Sequence, residues 1–243
     1  MKDNLEDYLR FSQVERGLSP NTIISYRTDL EEYLDYLQDQ NETSWEVDYL
    51  VVDAPAFLAT QKDKGKATTS ISRMISSLRK FYQWLLRQDI IERDPLIKID
   101  SPKSERRLPT ALSEEEVDKL LAAPDTNTPL GIRDRAMLEL LYATGMRVSE
   151  LINLRTGDIH SDLKIIRVLG KGSKERLVPI TEVALSWLEK YQKDVRDAQV
   201  LKSGQFTDVI FLNNHGHQLT RQAVWQKIKK YCQLVGITKN VTP

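Results

Sequence analysis

The chain has 243 residues, with 35 Lys+Arg against 35 Asp+Glu and a formal net charge of zero. That length accommodates two domains, and the zero balance argues against a simple polycation that coats nucleic acid by bulk charge. At 40% hydrophobic and 29% charged residues the composition is that of a soluble globular protein, not a disordered one. No apolar run approaches the roughly 20 residues of a membrane span. The single cysteine, Cys232, excludes an internal disulfide and a cysteine-based zinc cluster. The opening MKDNLEDYLR has no signal-peptide core, so the cytoplasm is the expected compartment.

The first 95 or so residues read as helical. Leu5, Tyr8, Leu9 and Val14 recur at helical spacing, and Gly17 ends that segment. Ser19-Pro20 reads as an N-cap followed by proline at the first helical position. Ile23, Tyr26, Leu30, Tyr33, Leu34 and Leu37 then carry an apolar stripe. A shorter helix is expected around residues 54–62 and a longer one over 68–88. The longer one turns Ile71, Ile75, Leu78, Phe81, Leu85 and Leu86 inward, with Ser70, Arg73, Ser77 and Lys80 on its other side. Four helices without a strand make a compact helical module. Residues 98–109 hold two prolines, several charges and few apolar residues, which is a linker signature.

A second domain starts at a capping box, Ser113 with Glu116. Helices are expected to about residue 123, over 129–144 with Gly145 as C-cap, and over 147–153. Residues 163–169 and 176–180 read as two strands joined by a glycine-bearing turn. A long helix over 182–201, a short strand at 209–212 and a final helix over 221–235, capped by Thr220, complete it. The fold class is therefore mainly α: a four-helix module, then an α-rich domain with a small antiparallel sheet.

The zero net charge hides sorted charge. Nine acidic residues and no basic one lie between Asp29 and Asp53. Six basic residues and one acid lie between Lys62 and Lys80, and five basic residues with no acid follow from Arg221 to the end. Such runs are solvated helix faces or phosphate-tracking surfaces.

Three segments can carry chemistry. In ATGMRVSEL, Arg147 follows a glycine break at the start of a helix, where its guanidinium can meet a phosphate. Glu150 lies three residues on and can orient it; the pair also reads as a routine surface ion pair. In GKGSKER, glycines flank Lys171 and free it to reach a cleft, where a lysine can protonate a leaving alkoxide; the segment also reads as a polar hairpin tip. In LTRQAVWQKIKKY, Arg221 and Gln222 open a helix and can read base edges while Lys227, Lys229 and Lys230 meet phosphates; a solvated amphipathic helix fits as well. His160, His215 and His217 have no HExxH spacing, and His215 and His217, two apart around Gly216, read as a loop rather than a metal pair. Cys232, Trp84, Trp187 and Trp225 read as core residues, and no metal or cofactor is called for.

Together ATGMRVSEL, GKGSKER-LVPI, LTRQAVWQKIKKY and GLSPNTIISYRTDL resemble the tyrosine site-specific recombinases of the phage-integrase family. SPKSERRLPTALSEEEVDKLL and GIRDRAMLELLYATG point within it to the bacterial branch that resolves chromosome dimers. The resemblance spans nearly the whole chain. It implies a SAM-like core-binding domain over residues 1–97, a linker over 98–109 and a catalytic domain from 110, clamped on a DNA duplex. It implies strand transfer through a 3′-phosphotyrosine without metal or nucleotide. Arg147 would be the first catalytic arginine, Lys171 the catalytic lysine and Glu150 the acidic brace. Thr220, Arg221, Gln222 and Lys227, with Tyr26, Arg73 and Lys80 of the first domain, would contact DNA. The implied partners are a double-stranded recombination site, a paralogous or identical recombinase subunit in a tetramer and a DNA translocase activator, with no membrane.

The resemblance has a gap. Family members continue with His-x-x-Arg, a His or Trp, and the nucleophilic Tyr, whereas these residues end at Val241-Thr242-Pro243. The expectation is a C-terminally incomplete catalytic domain that binds DNA without cleaving it. An integrase of a phage or mobile element, or a non-catalytic DNA-binding regulator, are the alternative readings.

Overall fold

The computed structural model describes residues 1–42, 44–45, 47–97, 99, 111–170, 174–239 and 241. The chain divides into two compact units, Met1–Arg107 and Leu108–Pro243. The segment read as a linker lies, apart from Ile99, outside the described residues.

The first unit holds α1 (Lys2–Val14), α2 (Pro20–Asp39), α3 (Val47–Asp63) and α4 (Thr68–Arg87). The Ser19 hydroxyl accepts the Thr22 N–H and Pro20 sits in the first turn, as the Ser-Pro pair suggested. The core is aromatic. Tyr8, Tyr33, Phe57, Phe81 and Tyr82 are fully buried. Phe81 packs against Tyr8 with ring centroids 5.2 Å apart and against Trp45 at 5.0 Å. The Tyr82 hydroxyl donates to that of Tyr33 at 3.1 Å, which spares two buried polar groups a desolvation penalty.

Five expectations need correction here. Helix α3 begins at Val47, upstream of residue 54, and carries Pro55 inside it; an interior proline forfeits one backbone bond but does not end this helix. Val14 is exposed because it closes α1 beyond the packed stripe, and Leu86 is partly exposed at the end of α4. Ser77, placed on the polar face, is fully buried because its hydroxyl donates to Asp29 at 2.7 Å. Asp29 itself belongs to the acidic run yet is buried, so that run is not uniformly a solvated face.

The second unit holds α5 (Glu114–Ala122), α6 (Pro129–Thr144), α7 (Val148–Ile152), β1 (Ile159–His160), β2 (Ile165–Leu169), β3 (Glu175–Pro179), α8 (Glu182–Tyr191), α9 (Asp197–Ser203) and α10 (Arg221–Leu234). The Ser113–Glu116 capping box forms in both directions. Helix α6 buries Ala136, Met137, Leu138 and Leu140 and packs on α5, α7 and α8. The strands form one antiparallel sheet in the order β1-β2-β3, with Arg167 opposite Leu177 and Val168 opposite Arg176. Ile166 and Val168 point into the core.

Strand β1 was not foreseen, because two residues carry no periodicity. The expected strand at 209–212 is instead a buried segment with two isolated bridges, Arg155 to Val209 and Leu212 to Gln218. The expected helix over 182–201 is divided by a π-helical turn, Gln192–Arg196. Such a turn re-aims side chains, and here buried Arg196 donates to the carbonyls of Val209 at 2.8 Å and Thr207 at 2.7 Å.

Phe81→Ala is expected to destabilise the first unit by about 3–5 kcal/mol, read as a fall in its denaturant midpoint. A loss below about 1 kcal/mol would contradict its central place in the core.

Candidate nucleic-acid interface

Helix α6 ends where Gly145 adopts a left-handed conformation, φ 58°, which side-chain-bearing residues adopt at a cost. Two residues on, Arg147 is the N-cap of α7. Helix α7 has only five residues, so what Arg147 can offer a phosphate here is set by its side-chain geometry. The Arg147 backbone N–H donates to Glu150 Oε2 at 2.7 Å, and its guanidinium Nη1 donates to Oε1 at 3.0 Å. Glu150 is 3% exposed whereas Arg147 is 69% exposed. The carboxylate is thus a buried anchor and the arginine faces solvent.

Glu150 has a second partner. Arg176 of β3 donates through Nη1 to Oε1 at 2.8 Å and through Nη2 to Oε2 at 2.7 Å. This parallel fork is the strong form of an arginine–carboxylate pair. It is the main reason the Glu150 carboxyl is held down to about 2, with the Arg147 bonds adding to it and burial opposing it. Arg176 was missed from sequence. The available signal was strand alternation, which puts Arg176 on the same face as Val178.

Arg147 and Arg221 line one open cleft of about 710 Å³, with Ser149, Gln222 and Trp225. Thr220 caps α10: its hydroxyl accepts the Ala223 N–H at 3.1 Å. Arg221 and Gln222 are exposed. Trp225, expected in the core, is 38% exposed because it forms part of this wall. Arg147 and Arg221 bring two cations and no carboxylate to the lining of this cleft, which suits an anion.

Other residues are placed differently. Lys171 lies outside the described residues. Lys227, read as a phosphate contact, donates to buried Asp134 at 3.2 Å; its charge is offset inside the fold. Asp134 also accepts from Tyr231 at 2.8 Å and from the buried Arg133 guanidinium at 2.7 and 2.9 Å, so α6 and α10 are pinned together. Lys229 lies over the Trp225 ring at 5.2 Å, and Lys230 is exposed.

In the first unit Arg73 is half-exposed and donates to Asp29 at 2.6 Å. Burial pushes the Asp29 carboxyl up, against the bonds from Ser77 and Arg73. Lys80 donates to the Tyr26 hydroxyl at 2.6 Å. Tyr26 is buried, so it orients Lys80 and offers little face of its own.

A depressed carboxyl stabilises the fold above its unfolded value and loses that contribution as pH falls through its folded value. For Glu150 the window runs from 4.5 down to about 2. The contribution is on the order of 3 kcal/mol. Stability of the second unit is expected to fall across that window, and Glu150→Gln is expected to flatten the fall; an unchanged slope would contradict the buried pair.

Residues 110–243 match the family described as phage integrase family, and residues 5–89 match the phage integrase N-terminal SAM-like domain. Tyrosine recombinase XerD of Lacticaseibacillus casei is 47% identical over 98% of this chain and 80% of its own length. XerD of Oceanobacillus iheyensis is 46% identical over the same shares. Among solved structures, a lambda integrase (75–356) dimer bound to a COC′ core site superposes with a TM-score of 0.72 at 20% identity, covering 98% of this chain and 80% of that one. XerH bound to a palindromic difH substrate superposes at 0.72 with 19% identity, covering 98% and 68%. These two likenesses share the fold. The two matching family models together take in most of the sequence, and with relatives above 40% identity along nearly its whole length the chain belongs to the phage integrase family of tyrosine recombinases.

Proposed function

We propose that the chain is a Xer-type site-specific DNA recombinase whose second unit grips the phosphate backbone through Arg147 and reads sequence through Arg221 and Gln222. The observation that carries the reading is the shared cleft of Arg147 and Arg221. One of its cations is tethered to a buried carboxylate and the other opens a helix of 14 residues. An arginine and a neighbouring glutamine at a helix start have the donors needed for base edges in a major groove. A tethered arginine supplies a fork for a phosphate.

In this reading the first unit is the core-binding domain and residues 98–109 the linker. Arg73 and Lys80 are its DNA-facing cations. The basic groups neutralise backbone phosphates, so affinity falls with salt. In strand transfer Arg147 offsets the charge that develops on the scissile phosphate, a role for fixed donors. Lys171 is assigned the protonation of the leaving 5′-oxygen through the resemblance of its hairpin to the family motif. The partners are a duplex recombination site and further recombinase subunits, identical or paralogous, and the compartment is the cytoplasm. A translocase activator belongs to the reading on family resemblance alone. Among the described residues no helix is long and apolar enough to cross a membrane.

The test is a binding titration with a duplex selected from a randomised pool. Arg221→Ala is expected to reduce discrimination between selected and scrambled duplex by about 1–3 kcal/mol. Arg147→Ala is expected to weaken both equally and lower the salt slope by about 1. Unchanged discrimination in the first variant would remove the base-reading role. An unchanged salt slope in the second would remove the phosphate role.

A further inference from the structure

We propose that Arg176 is the positioning residue of this cleft: it fixes the Glu150 carboxylate, and through it aims the Arg147 guanidinium at one DNA phosphate. The inference rests on the DNA-binding reading of Arg147 given above.

Arg147 cannot aim itself. Its side chain is 69% exposed, and an exposed arginine has many rotamers to lose on binding. One guanidinium nitrogen, Nη1, is tethered to Glu150 Oε1, so the direction of Arg147 follows that of the carboxylate. The carboxylate has two further sources of support. The Arg147 backbone N–H reaches only Oε2. Arg176 reaches both oxygens at once, at 2.8 and 2.7 Å. A planar fork on both oxygens fixes the carboxylate plane, which a single donor cannot do.

Arg176 is itself set by the sheet. It lies opposite Val168 in the β2–β3 register, and Val168 is buried in the core. The hairpin also leaves room for the fork. A Cβ at Gly170 would stand 3.2 Å from Arg176 Nη1 and 3.6 Å from Glu150 Oε1. The glycine N–H meanwhile donates to the Lys174 carbonyl at 2.8 Å and closes the hairpin base. A side chain at 170 would crowd the guanidinium at the nitrogen that holds Oε1. The pair therefore ties β3 to α7.

The experiment is a scan of the selected duplex in which single phosphates are replaced by neutral methylphosphonates. It is read as affinity for wild type, Arg147→Ala, Arg176→Gln and Arg176→Lys. Wild type is expected to lose about tenfold at one position, and Arg147→Ala to lose nothing further there. Arg176→Gln is expected to show less than about threefold at that position with the rest of the scan unchanged. Arg176→Lys, which restores charge but not the fork, is expected to fall between Arg176→Gln and wild type. Full tenfold sensitivity in Arg176→Gln would overturn the proposal, and so would a uniform loss at every phosphate. Should Arg176→Gln fail to fold, Gly170→Ala, which crowds the fork and keeps the charge, is held to the same two outcomes. A scan in which Arg147→Ala matches wild type everywhere would sink the phosphate role of Arg147. In that case a carbon-13 titration of the Glu150 carboxyl still decides the Arg176 step. It is expected to move up towards the ordinary carboxylate range in Arg176→Gln, and an unmoved value would overturn it.

Discussion

Glu150 is the constraint on which the cleft depends. A carboxylate taken out of water is costly unless its oxygens are satisfied. Here Oε1 accepts from two guanidinium groups, and Oε2 from one guanidinium and one backbone N–H. That arrangement needs a short helix starting at Arg147, a strand presenting Arg176 and a hairpin that leaves Gly170 without a side chain. Satisfying one buried group therefore fixes three elements relative to one another. It also leaves Arg147 tethered at one nitrogen and open at the others.

The other wall of the cleft is held by a second buried acid. Asp134 receives Arg133, Tyr231 and Lys227, and Arg133 reaches on to the Leu212 carbonyl at 2.9 Å. The Leu212 N–H in turn donates to the Tyr191 hydroxyl at 3.1 Å. Helices α6, α8 and α10 and the segment through Leu212 share this network. Its effect is to hold α10 rigidly while Thr220 caps it, so that Arg221 and Gln222 sit at a fixed helix start. Desolvation and the adjacent Asp134 carboxylate push the Tyr231 phenol well up, which keeps it a neutral donor. Lys227, read as a DNA contact, also joins this frame through Asp134.

Much of the fold was legible because it is local. The Ser19 and Ser113 caps, the Gly145 break and the apolar stripes of α2 and α4 act over three or four residues, and each is visible as spacing. The arginine–glutamate pair in ATGMRVSEL was legible for the same reason. Contacts between distant residues were not. Arg176 is 26 residues from Glu150, Ser77 is 48 from Asp29 and Lys227 is 93 from Asp134. No periodicity reports such pairs, so Ser77 was placed on a polar face and the Asp134 partner of Lys227 was not visible. The π-helical turn escaped because one extra residue per turn leaves the apolar pattern on either side intact. The formal charge of zero changed meaning too: it counts Asp29, Asp134 and Glu150, which are buried against arginines or lysines, together with the exposed cations of α10.

In the proposed function Arg147 and the start of α10 face DNA from one cleft. The most direct measurement places a photoreactive benzoylphenylalanine at position 222 and maps its crosslinks on the selected duplex. Crosslinks are expected at one or two base pairs, next to the phosphate whose neutralisation Arg147 senses. Retained duplex binding with no crosslink, or crosslinks scattered along the whole duplex, would contradict it.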